Sequence, residues 1–99
     1  HITGGGLTEN LPRSIPDNLI VEIDTDSWEM PNIFKWLQEN GNISDDDMYR
    51  IFNCGIGMVL FVDEDEELNI SSRIKELKMN SFVIGKVKNK KEESSVIFV

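Results

Sequence analysis

His1-Ile-Thr-Gly-Gly-Gly-Leu-Thr-Glu-Asn-Leu-Pro-Arg13 opens the chain, and the rest of the sequence is read outward from its three adjacent glycines. His1-Ile2-Thr3 suits the end of a β-strand. After the glycines the composition turns helical, with Thr8 placed to cap and Glu9 placed in a first turn. Gly4, Gly5 and Gly6 fill no core and cost backbone entropy, so a compact fold needs a geometric reason for them. Two reasons present themselves. The glycines form a tight strand-to-helix turn, or they let a ligand lie against the main chain where free N–H groups and a helix start favour an anion. The full dinucleotide and Walker patterns are absent.

The chain does not start with methionine, and the strand that should deliver His1 to the glycines is a stub. The expectation is a piece of a larger protein or a chain processed at His1. With 99 residues, 39% of them hydrophobic, it suits one domain or part of one with a small core. A net charge of −8 argues against a binder of nucleic-acid backbones, which needs a basic face, and against docking on anionic lipid. Main-chain amides still allow a local site for one phosphate. The single cysteine, Cys54, excludes an internal disulfide and fits a reducing compartment. No apolar run reaches membrane-spanning length, so a cytoplasmic location is expected.

Further along, Ser14 to Asn18 is a turn cluster, and Leu19 to Asp24 reads as a strand with Leu19, Val21 and Ile23 on its buried side. Pro31 and Gly41 bracket a helix with Ile33, Phe34 and Leu37 on its apolar stripe and Trp36 beside it. Ser44 with Asp47 approximates a capping box, opening a helix through Phe52 whose stripe is Met48, Ile51 and Phe52. Asn53-Cys-Gly-Ile-Gly57 breaks that helix. The almost wholly apolar run Ile56 to Val62 then predicts a central strand buried on both faces. Asp63 to Glu67 leads into a helix with Ile70, Ile74 and Leu77 inward. Ser81 to Lys88 and Ser95 to Val99 close as strands, with the polar run Asn89 to Glu93 as a solvated hairpin tip. The class expected is α+β, with helices packed on a mixed, largely antiparallel sheet in one partial domain over residues 1–99.

Among the chemistry-bearing residues, Asp45-Asp46-Asp47 and Asp63 to Glu67 lack the alternating oxygens and central glycine of a calcium loop. Both sit where helix starts favour negative charge, so no metal site is expected. Cys54 reads as a small buried residue beside a turn, the competing reading being a nucleophile with His1 as its base. His1 precedes the glycines directly and so faces whatever they hold, unless it merely ends a strand. Asn53 offers a donor and an acceptor from the second glycine turn. Trp28 and Trp36 read as core or domain-contact residues.

Four blocks in this order resemble the C-terminal domain of the aminoimidazole ribonucleotide synthetase (phosphoribosylformylglycinamidine cyclo-ligase) family. They are the opening run, Ile33-Phe-Lys-Trp-Leu-Gln38 with Gly41-Asn42, Met48-Tyr-Arg-Ile-Phe-Asn-Cys-Gly-Ile-Gly-Met58, and Val83-Ile-Gly85. The resemblance reaches to about Lys88 and departs in the Asp63–Leu77 helix and the lysine-rich tip. It implies an enzyme of purine biosynthesis that closes the imidazole ring of formylglycinamidine ribonucleotide with ATP and Mg2+. It also implies that ATP, Mg2+ and the main homodimer contact belong to an N-terminal domain lying outside this chain, so that these residues alone are inactive. On that resemblance His1 faces the reacting end of the substrate. Gly4, Gly5 and Gly6 donate main-chain N–H groups to its phosphate or amide, Thr3, Asn10 and Asn53 add side-chain contacts, and Gly55 and Gly57 belong to the same site. Arg13 either contacts substrate or pairs with a helix terminus. A related ATP-using enzyme of the superfamily (amidotransferase or maturation-factor type) and a non-catalytic ligand-binding or dimerisation module are the other readings. An upstream Asp-Gly-Val-Gly-Thr-Lys-like loop would separate them.

Overall fold

Leu19–Ile23 forms the central strand β1 of a three-stranded mixed sheet, and a computed structural model describes all of residues 1–99 around it. Gly85–Asn89 is β2, antiparallel to β1 from Leu19 opposite Asn89 to Ile23 opposite Gly85. Val96–Phe98 is β3, parallel to β1 on its other side, with Val21 opposite Val96. The order is therefore β2-β1-β3. The polar run after β2 is thus not the tip of a hairpin. It passes the start of β1, where the Lys90 N–H donates to the Asn18 carbonyl at 2.9 Å, and delivers β3 to the far edge. Flanked on both sides, β1 is drier than its alternation predicts. Ile20 is buried along with Val21 and Ile23, and Glu22 on the Ile20 face is half-buried and paired with Lys88 at 2.7 Å.

The helices are α1 (Gly6–Asn10), α2 (Asn32–Gly41), α3 (Asp45–Ile51) and α4 (Glu67–Glu76), with 3-10 turns at Leu11–Ser14 and Glu64–Glu66. Pro31 and Gly41 do bracket α2, which ends on Asn42 in the left-handed region. Ser44 caps α3 by accepting from the Asp47 N–H at 3.2 Å. Only half of the capping box forms, because the Asp47 carboxylate turns to Arg50 instead. Thr8 caps nothing. Gly5 occupies the cap position of α1 and Thr8 lies inside the helix, since the turn tightens one residue after Gly4.

Leu7, Leu11, Val21, Ile23, Trp28, Met48, Tyr49, Cys54 and Ile56 make up most of the core, between the α1–α3 pair and one face of the sheet. The α3 stripe is shifted from its expected setting. Met48 and Tyr49 are buried while Ile51 is exposed, because the Tyr49 ring stacks on Phe98 of β3 with centroids 4.4 Å apart. Trp28 packs against Tyr49 edge-on, whereas Trp36 is exposed. Neither α2 nor α4 has a fully buried residue. Phe34 leans on Phe52, but Ile33 and Leu77 face solvent.

Two expected strands do not form. His1–Thr3 is irregular and keeps one strand-like bond, from the Ile2 N–H to the Gly57 carbonyl at 2.9 Å. Met58 to Val62 is neither paired nor buried on both faces, because the fold places no strand beside it.

Two outcomes test this packing. Ser44→Ala removes the acceptor for the Asp47 N–H and should cost about 1 kcal/mol, read as a lower denaturation midpoint at constant m-value. Burial pushes the Cys54 thiol from its ordinary 9.0 up to about 11. A thiol raised on folding contributes stability that is complete below the unfolded value and is lost as pH rises through the folded one. Stability should therefore fall between about pH 9 and 11, and Cys54→Ala should flatten part of that slope. Tyr49 adds to the same alkaline loss, its hydroxyl raised chiefly by burial and further by Cys54, Asp45 and Asp26.

Candidate functional site

Gly5 and Gly6 adopt φ of 105° and 60°, which only glycine takes up without strain, and each is needed for a separate reason. At Gly5 the chain reverses into α1. At Gly6 the backbone presses so closely on α3 that a Cβ would overlap the carbonyl oxygens of Tyr49 and Phe52. Gly4 differs from both, since a Cβ there would meet nothing within 4 Å. The Gly6 N–H donates to Thr3 O at 3.1 Å and is not free for a ligand. The N–H groups of Gly4 and Gly5 find no acceptor within the chain.

Asn10 holds this loop together. Its Nδ2 donates to Gly6 O at 2.7 Å and to Thr3 O at 3.3 Å, while its Oδ1 accepts from the Thr3 hydroxyl at 2.9 Å. Asn10 is the only polar side chain among the buried residues, and these three bonds engage both its donor and its acceptor ends. It shapes the loop from beneath, whereas Thr3, His1 and Gly4 stand exposed on the loop surface. A sequence reading assigned Asn10 to ligand contact. The clue to its loop-holding role is its position one turn after Gly6, where an amide reaches back to a glycine carbonyl.

The second turn is built by Asn53 to Gly57. Asn53 Oδ1 accepts the Gly55 N–H at 2.8 Å, Cys54 is left-handed at φ 54°, and Gly55 rests on the Pro31 ring. Trp28 Nε1 donates to Cys54 O at 3.0 Å and anchors the turn to the core. Nothing in the sequence signals this bond, which links residues 26 apart. The Cys54 side chain is fully buried, with Sγ directed to Met48 O at 3.4 Å, and its raised pKa leaves almost no thiolate near neutral pH. That environment supports the buried-cysteine reading over the nucleophile.

The structure brings the two glycine turns side by side. Ile2 bonds to Gly57, and Gly6 lies on the Phe52 carbonyl just before Asn53. The opening loop is thus tied to the second turn at both of its ends, through Ile2 to Gly57 and through Gly6 to the residue before Asn53. Arg13 forms no side-chain hydrogen bond or ion pair with these residues. It sits exposed at the end of the first 3-10 turn, in none of the chain's three ion pairs. The exposed part of the opening loop is a shelf carrying His1, Thr3 and Gly4, with the unbonded N–H groups of Gly4 and Gly5. Two concavities lie away from it, one at Phe61 to Ile70 and one on the outer sheet face around Ile20 and Lys88. Asp45, Asp46 and Asp47 occupy the first turn of α3, and no three His, Cys, Asp or Glu side chains converge as a metal cluster would require.

Residues 1–98 match the family described as AIR synthase related protein, C-terminal domain. Among curated proteins, the phosphoribosylformylglycinamidine cyclo-ligase of Chromobacterium violaceum is 46% identical over 90 residues, covering 91% of this chain and 26% of that protein. The cyclo-ligase of Citrifermentans bemidjiense is 52% identical over 87 residues, 88% of this chain and 25% of the relative. That of Neisseria meningitidis is 56% identical over 66 residues, 67% of this chain and 19% of the relative. The chain thus spans about a quarter or less of the length of these relatives. Its glycine-rich opening and the Asn53–Gly57 turn lie within the match, and the chain belongs to the AIR synthase related C-terminal domain family.

Proposed function

We propose that this chain is the C-terminal part of a phosphoribosylformylglycinamidine cyclo-ligase acting in purine biosynthesis in the cytoplasm. The observation that carries the reading is the amide shelf: Gly4 and Gly5 with unused N–H groups, beside the Asn53–Gly57 turn, in a chain related to enzymes of that name. An open shelf is half of a cleft, and a homodimeric longer protein with an N-terminal domain would supply the other wall. The residues here do not fit Mg2+, since their carboxylates do not converge, and no step is assigned to the metal on this chain. ATP, as co-substrate, would be held mainly by that other domain and supplies the phosphoryl group that makes the formyl oxygen of formylglycinamidine ribonucleotide a leaving group.

What these residues do is bind and orient. The Gly4 and Gly5 N–H groups point at a phosphate or amide of the substrate, the Thr3 hydroxyl and the Asn53 amide flank it, and His1 stands at the exposed end nearest the reacting groups. Holding the amidine nitrogen against the activated carbon is the main contribution such a site makes to an intramolecular closure. Neither the amidotransferase-type enzyme nor the non-catalytic module has a specific observation in its favour.

The direct test is ring closure by the longer protein with ATP and Mg2+, assayed as imidazole formation. No product from a folded, nucleotide-binding preparation would overturn the reading. Within it, Gly4→Val should leave the melting temperature nearly unchanged, because space is open there, while crowding the substrate. An overpacking cost of about 1–3 kcal/mol corresponds to roughly 5- to 150-fold in substrate affinity. Gly6→Ala should act the other way, destabilising the fold through its overlap with the Tyr49 carbonyl. An unchanged affinity in folded Gly4→Val would make the loop a turn and nothing more. His1→Ala should lower kcat by about 10²–10⁴-fold with a smaller change in KM and no change in thermal stability. A full rate would remove His1 from the site.

A further inference from the structure

Ile56-Gly-Met-Val-Leu-Phe-Val62 is the most apolar stretch of the chain, yet much of it faces water. Met58 is 63% exposed and Leu60 57%, with Phe61 and Val62 also exposed and Val59 half-buried. No backbone N–H or C=O from Met58 to Val62 is hydrogen-bonded within the chain. Apolar side chains together with a row of unpaired main-chain groups are the signature of a strand edge without its neighbour. One rung of a ladder is already in place at its start, the bond from Ile2 N–H to Gly57 O.

That rung fixes what can extend the ladder. Residues on the far side of His1 lead away from Ile2 in one of two directions. A parallel course would run beside Gly55 and Cys54, whose left-handed turn presents no ladder groups. An antiparallel course runs beside Met58 to Val62, where every group is free. We propose that the residues immediately preceding His1 in the longer protein form a β-strand that pairs antiparallel with Met58–Val62, in the register set by the Ile2–Gly57 bond. The proposal rests on the reading that this chain is part of a longer protein, as the coverage of its relatives supports, and not on the reaction assigned to it. In this register His1 faces Met58, the residue directly before His1 faces Val59, and the second residue before it faces Leu60. Hydrogen-bonded pairs alternate along an antiparallel ladder, so the Val59 and Phe61 N–H groups donate to the incoming strand. Met58 and Leu60 then fall at the non-hydrogen-bonded pairs, where facing side chains are closest. Because apolar residues stand on both faces of the run, the occupant is an apolar strand, and the pair lies inside a sheet.

The consequence for the site is direct. His1 and Thr3 continue from the new strand, so pairing would clamp the entry to Gly4–Gly6 against the entry to Met58 and hold the shelf rigid.

Two measurements on the longer protein test the register. Hydrogen exchange on the unmodified protein should show the Val59 and Phe61 amides on the order of a hundredfold or more slower than their unstructured rates, independent of protein concentration. A Leu60→Cys variant carrying a second cysteine two residues before His1 should form a disulfide on mild oxidation, mapped by mass spectrometry. Moving the second cysteine to the residue directly before His1 should abolish most of it. Unprotected Val59 and Phe61 amides overturn the proposal, as does protection that fades on dilution, which would mark a second copy as the occupant. Absence of the disulfide in a variant that melts like the parent overturns the register. Ring closure is assayed separately on the same protein, so failure of the pairing and failure of the assigned reaction are read independently.

Discussion

The close approach of Gly6 to the last turn of α3 is the constraint on which the arrangement depends. Laying one backbone on another leaves no room for a side chain, and in return Leu7 and Met48 are brought into contact with the core with no exposed surface. The same approach positions the loop before α1 beside the loop after α3. Asn10 and Trp28 then secure the two loops, each through a hydrogen bond to a main-chain carbonyl. Burial and site geometry are thus one event in this chain. A change at the α1–α3 contact alters stability and the spacing of the two glycine turns together.

Much of this was legible in the sequence wherever the signal is local. Pro31, Gly41 and Ser44 mark helix ends through backbone chemistry that needs no distant partner, though Pro31 stands at the cap rather than inside the first turn and Asn42, not Gly41, takes the left-handed stop. The opening glycines announced a tight turn, the alternation of strand and helix patterns gave the α+β fold, and the resemblance of four blocks gave the family. What sequence did not reveal depends on partners far along the chain. Tyr49 is buried because Phe98 lies under it, a stacking between residues whose separation no periodicity encodes. Thr8 lost the cap position to Gly5 by one turn of tightening. Ile56 to Val62 carries the pattern of an inner strand and lies bare, since a strand is defined by its neighbours as much as by its composition.

The site shows the same division. The glycines were identifiable as a group, but they are not equivalent: Gly6 is committed to packing, Gly5 to chain reversal, and Gly4 alone has open space around it. Asn10, for which the resemblance implies a substrate contact, makes three hydrogen bonds within the loop, a role its residue type does not announce. Composition cannot separate these roles, because they differ only in what lies within a few ångströms.

The order β2-β1-β3 carries a consequence for how the chain is made. β1 is complete at Ile23, but both of its neighbours come from Gly85 onward. At about 5–20 residues per second, β1 emerges roughly 3–12 s before Gly85, the first residue of either neighbour, is made. During that interval Ile20, Val21 and Ile23 have no sheet partner, and the pairings they await close loops of more than 60 residues, the kind of contact that slows folding. The α1–α3 unit can form first, from residues all synthesised before Gly57, and offers Val21 and Ile23 an apolar surface while the sheet is still incomplete. Translation order thereby gives the helices a protective role toward the strand, separate from their part in the finished fold.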